Sequence, residues 1–115
     1  MNIEIPGVDV KKGLQLFDGD EEIYLKVLES YAANTPATID KLRAVSAETL
    51  KEYAIKMHGL KGTTANIGAE ELRLKAKSLE ALANNGDIDA ILAQNDSFIK
   101  EADKLIEDIN NYLKV

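Results

Sequence analysis

The sequence predicts an all-α fold, and three observations carry that expectation. The 115 residues include only two prolines and two phenylalanines beside many Ala, Leu, Lys and Glu, which suits helices and leaves little material for strands. Apolar residues recur at steps of three and four: Leu50, Tyr53, Met57, Leu60, Thr64 and Ile67 form one stripe, and Ile88, Ile91, Leu92, Phe98, Ile99, Ala102, Leu105, Ile106, Ile109 and Leu113 form another. Glycines at 68 and 86 separate these stretches, where a left-handed residue would close one helix before the next begins.

Punctuation places the elements in order. A short first helix is expected over residues 9–16. A second starts from Asp20, whose carboxylate can cap the free N–H groups, with Glu21 and Glu22 at the positive helix end. Its stripe is Tyr24, Val27, Leu28 and Tyr31. Pro36 should bend it, yet Ile39, Leu42 and Val45 keep a compatible phase, so one bent helix to about residue 45 is expected. Ser46 then reads as the N-cap of a third helix ending at Ile67, and a fourth covers residues 69–84. Asn85-Gly86-Asp87 supplies a stop and a new cap, and the last helix runs from Ile88 almost to the end. Short turns at Gly68 and Gly86 require antiparallel neighbours. The expected architecture is therefore an antiparallel up-and-down four-helix bundle with a short extra N-terminal helix, forming a single domain over residues 1–115.

Composition narrows the function. There is no cysteine, which removes disulfides, thiolate metal sites and cysteine nucleophiles and fits a reducing compartment. The formal net charge is -6 and no basic run is present, so the electrostatic footprint of nucleic-acid or anionic-membrane binding is missing. No basic-then-apolar leader precedes Pro6, and no stretch approaches the roughly 18 apolar residues of a membrane span. The expected compartment is the cytoplasm. A Glu-x-x-His metal pair fails because position 55 is Ile, and one histidine without cysteine cannot assemble a zinc site. No glycine-rich phosphate loop or nucleotide motif is present, so a self-sufficient kinase is not expected.

The informative segment is His58-Gly59-Leu60-Lys61-Gly62, inside the third helix. Each interior glycine costs about 1 kcal/mol relative to alanine, so a use for them is implied. His58 lies about 100° round from Met57 of the buried stripe, with Lys61 and Gly62 three and four residues on along its own face. A lone surface histidine is ordinarily solvated decoration; the two glycines argue otherwise. A neutral imidazole can accept a phosphoryl group if a partner's backbone can come close and a cation steadies the transferring oxygens. Gly62 supplies the approach and Lys61 the cation. In a hairpin turning near Ala69, positions whose numbers sum to about 138 lie level. That sets His58 opposite Glu80 and Lys61 opposite Lys77, so Glu80 could accept the ring N–H, or instead be a solvent-facing partner of Lys77.

The run from Met57 to Ala69, with Leu72, Ala76, Leu79-Glu80 and Asn85-Gly86-Asp87, resembles the histidine-containing phosphotransfer (HPt) domains of two-component phosphorelays. Pro6-Gly7-Val8-Asp9, Gly13-Leu14 and Asp20 with Tyr24 and Leu28 look like the usual lead-in. The resemblance implies a bundle that carries a phosphoryl group on His58 between aspartates of receiver domains. Lys61 would neighbour that group, Gly62 would leave room and Glu80 would orient the imidazole. From the hairpin register, and not from the resemblance, Lys77 is expected near Glu80, where it would limit the negative field. Magnesium would belong to the receiver, with no cofactor in this chain. A histidine kinase, in the same chain or in trans, is a further implied partner. Two other readings stay open: the phosphorylated domain of a chemotaxis-type kinase, and a non-catalytic adaptor bundle. Gly59 stands where the family commonly has Ser, Thr or another small or apolar residue. A monomer is expected, because no apolar stripe is left over for a second interface.

Overall fold

In a computed structural model, which describes residues 3–114, five α-helices follow one another: α1 (Val10–Gln15), α2 (Glu21–Leu42), α3 (Leu50–Asn66), α4 (Glu70–Asn84) and α5 (Ile88–Leu113), with a 3₁₀ turn, Ala47–Thr49, before α3. No strand occurs among the described residues. The α2 helix packs on α3 and α5, and α4 packs on the same two, which closes a four-helix bundle; α1 lies against α2. The expected all-α bundle with a short N-terminal helix is therefore the observed one.

The caps follow local chemistry. Asp9, Asp20 and Asp87 each accept from the backbone N–H three residues on, at 3.1 Å, satisfying donors that the first turn leaves free. Gly68 and Gly86 both take positive φ, 84° and 74°, the left-handed conformation that closes a helix with little penalty for glycine. The stripes meet in one core that includes Tyr24, Leu28, Ile39, Met57, Leu79, Ile91 and Ile109. Two of its hydroxyls are paired: those of Tyr31 and Thr64 lie 2.9 Å apart, and burial pushes the Tyr31 phenol up to about 12.

Three local expectations are corrected. The α2 helix runs unbroken through Pro36 but stops at Leu42, short of residue 45. Its end is fixed from a distance: the Asn95 amide donates to the Leu42 carbonyl at 2.8 Å, while the Tyr53 hydroxyl donates to Asn95 Oδ1 at 2.7 Å. Ser46 begins the 3₁₀ turn and not α3 itself; its N–H donates to the Thr49 hydroxyl at 2.9 Å, and α3 starts at Leu50. Leu92 does not join the core. Asn95 takes the buried position one turn on, and Leu92, 55% exposed, looks onto the Arg43–Ser46 segment that follows the early end of α2.

Candidate functional site

The third helix presents His58 on its outer face because the core claims Tyr53, Met57, Leu60 and Thr64. The side chain of His58 is 69% exposed, and Gly59 and Gly62 flank it with nothing within 4 Å of the position a Cβ would occupy. Neither glycine is demanded by packing. Ile55, three residues before His58 on the same side of the helix, is 65% exposed. The result is a strip of α3 where one imidazole stands among an apolar side chain and two bare stretches of backbone.

The α4 helix supplies the ring's partner. Its stripe of Leu72, Ala76, Leu79 and Ala83 is buried, which turns Glu80 toward the α3 flank. Glu80 Oε2 lies 2.7 Å from His58 Nδ1, and Glu80 Oε1 accepts from Lys61 Nζ at the same distance. The carboxylate is only 14% exposed, so its contacts with the ring and the ammonium are shielded from much of the solvent. The Lys61 ammonium first, and the imidazole after it, hold the Glu80 carboxyl below its ordinary 4.5 against the opposing effect of burial. An ionised carboxylate is acceptor-only, so the ring proton sits on Nδ1. That leaves Nε2 as the nitrogen with a lone pair, and among the described residues it has no protein partner.

His58, Glu80, Lys61 and Gly62 are thus together, and the expected level pairing of His58 with Glu80 holds. Lys77 is not part of the group. It is exposed and forms no ion pair among the described residues, while Lys61 takes the place on Glu80 that Lys77 was expected to influence. Level pairing sets Lys61 opposite Lys77, but a lysine's four-carbon stem reaches along the groove to the next turn. Exposed Ile55 was missed; its helical offset of minus three from His58, away from the buried stripe, was the available signal.

A family model described as the Hpt domain matches residues 26–112, more than half of the chain. The chain belongs to the Hpt domain family. It is similar to the phosphorelay intermediate protein rdeA of Dictyostelium discoideum, with 28% identity over 98 residues, covering 82% of this chain and 37% of that relative. The chain therefore spans little more than a third of that relative's length. No solved structure matches it significantly. The relative is named as an intermediate of a phosphorelay, and the matched family is one of phosphotransfer carriers. Among the described residues no group of three or more His, Asp or Glu could hold a metal ion, and no helix is long and apolar enough to cross a membrane.

Proposed function

We propose that this Hpt domain carries its phosphoryl group on Nε2 of His58, accepting it from a receiver-domain aspartate and passing it to another. The observation that supports this most is the 2.7 Å contact of Nδ1 with Glu80, which orients the ring and leaves Nε2 as the nucleophile. In the forward step the Nε2 lone pair forms the N–P bond while the P–O bond of the aspartyl phosphate breaks and the carboxylate departs. The proton stays on Nδ1 against Glu80, which offsets the charge the ring acquires. No base has to remove it, so the same geometry serves the return step.

The strip around His58 fits this use. The bare backbone at Gly62 admits a partner's loop, and exposed Ile55 offers an apolar contact beside it. Lys61, once drawn from Glu80, would steady the transferring oxygens as a point charge. Magnesium and the remaining catalytic groups would be the receiver's, and this chain would act without kinase activity of its own.

The test is incubation with a radiolabelled phospho-receiver and magnesium. Acid-labile, alkali-stable label is expected on the wild-type chain and none on His58→Gln. Label of the same lability persisting on the variant overturns the assignment.

A further inference from the structure

The α3–α4 turn is held from outside its own hairpin. Ile67, Gly68 and Ala69 are all buried, so their carbonyl oxygens need partners within the protein. Two are supplied by the N-terminal part of the chain: the Tyr24 hydroxyl donates to the Ile67 carbonyl at 2.7 Å, and the Asp9 N–H donates to the Gly68 carbonyl at 2.9 Å. Burial, with the Asp9 carboxylate adding to it, pushes the Tyr24 phenol up to about 12, so it remains a donor across the working pH range.

The fit is backbone against backbone. A methyl group on Gly68 would lie 2.3 Å from the Asp9 carbonyl oxygen, and one on Gly13 would lie 2.6 Å from Tyr24 Cε1 and 2.9 Å from the Ile67 carbonyl oxygen. Lys12 Nζ reaches Glu70 in the first turn of α4 at 3.5 Å. The α4 helix has no side-chain cap of its own, since its N-cap is Ala69, so the turn and what grips it fix where α4 begins. Glu80 stands ten residues beyond Glu70, about 15 Å along a helix that transmits an axial slip nearly undiminished. A slip of two residues' rise, about 3 Å, along that axis would stretch the 2.7 Å contact to about 4 Å, beyond hydrogen-bond reach. Asp9, Lys12, Gly13 and Tyr24 all precede residue 26, where the family match begins.

We propose that α1, together with Tyr24 from the first turn of α2, is a positioning clamp: by gripping the Gly68 turn through Asp9, Gly13 and Tyr24 it sets the axial register of α4 against α3 and so keeps Glu80 level with His58. Gly13 and Tyr24 are on this account positioning residues, acting on the imidazole only through Glu80. The inference rests on Glu80 as the group that orients the ring, and its test separates the two.

Two readouts are needed. The first is the distance between nitroxide labels attached to cysteines introduced at exposed Lys51 and Leu74 of the otherwise cysteine-free chain, which reports the register of α3 and α4. The second is the His58 tautomer population from nitrogen NMR. Gly13→Ala and the milder Tyr24→Phe are expected to shift or broaden the distance and to lower the Nδ1–H population toward that of Glu80→Gln. In the Glu80→Gln background neither should lower it further, and Ile109→Val, which trims the core elsewhere, should move neither readout. An unchanged distance in both clamp variants overturns the proposal. So does a changed distance with an unchanged tautomer where Glu80→Gln itself shifts it, and so does an equal response to Ile109→Val. If Glu80→Gln alone leaves the tautomer untouched, the orienting role of Glu80 falls, and the label distance still decides the clamp.

Discussion

Glu80 is shared: one carboxylate oxygen meets His58 Nδ1 at 2.7 Å and the other meets Lys61 Nζ at 2.7 Å. This division resolves a conflict in the chemistry. A lone carboxylate beside an imidazole favours the cation, which is no nucleophile, whereas a carboxylate already paired with an ammonium still accepts the ring N–H but exerts a weaker net field. Lys61 therefore acts on the ring through Glu80 before any phosphoryl group arrives.

Glu80→Gln keeps the size of the side chain and loses its charge. Its amide can still accept from Nδ1–H, but it can also donate, so the ring is no longer confined to one tautomer. Nitrogen NMR is expected to show the Nδ1–H form dominant in the wild type and a mixture in the variant, with transfer from a phospho-receiver slowed several-fold. Identical tautomer populations in the two proteins would remove Glu80 from the site.

The same carboxylate gives a stability signature with a defined sign. Its pKa is depressed in the folded state, by Lys61 above all, from the ordinary 4.5. The stabilisation is thus fully present above about 4.5 and is lost as the pH falls through the lower folded value. Urea unfolding between pH 5 and pH 2 is expected to show the stability of the wild type relative to Glu80→Gln shrinking as the pH drops. Glu70, which Arg73 holds down at about 2, contributes alike to both proteins and cancels from the difference. A difference that grows on acidification contradicts the pairing.

How much of this was legible in the sequence depends on the length scale of each interaction. The existence and order of the helices, and the caps at Asp20 and Asp87, are local, spanning three or four residues, and they stand where the pattern puts them. The His58–Glu80 contact spans 22 residues yet was readable, because a single short turn at Gly68 makes level pairing a matter of counting. The Lys61–Glu80 bond was not, because counting places Cα positions and says nothing of how far a lysine reaches along the groove. The early end of α2 was hidden for another reason: Asn95 and Tyr53 meet Leu42 only after the bundle has closed, across 53 residues in the case of Asn95. Backbone contact between Gly68 and Asp9 likewise leaves no hydropathy trace; two glycines are its only marks.

Lys61→Ala is expected to act twice. Before transfer it frees Glu80, so the tautomer preference persists or strengthens. During transfer it removes the cation, so phosphoryl transfer slows by roughly three- to tenfold, the scale of about 1 kcal/mol for a partly exposed charge. That slowing should fade as salt is raised, because added ions screen the ammonium in the wild type. Equal rates for the two proteins at low ionic strength would demote Lys61 to a structural partner of Glu80.

The two glycines separate folding from access. Neither has an atom within 4 Å of its absent Cβ, so filling either should relieve the helix of about 1 kcal/mol and raise the melting temperature by a few degrees. They differ in position: on α3, Gly62 lies about 40° round from His58, one turn on, and Gly59 about 100° round. Gly59→Ala should therefore be stabilised and still exchange phosphate with a receiver. Gly62→Gln should be stabilised equally well but fail to exchange, because its side chain stands where the partner's backbone must come. The failure should be specific to a protein partner. A small donor such as phosphoramidate needs no such approach, and it should label His58 in Gly62→Gln at a rate near that of the wild type. Normal exchange with the receiver in Gly62→Gln would show that access is not what this glycine provides. Loss of labelling by phosphoramidate as well would locate its effect at the imidazole itself.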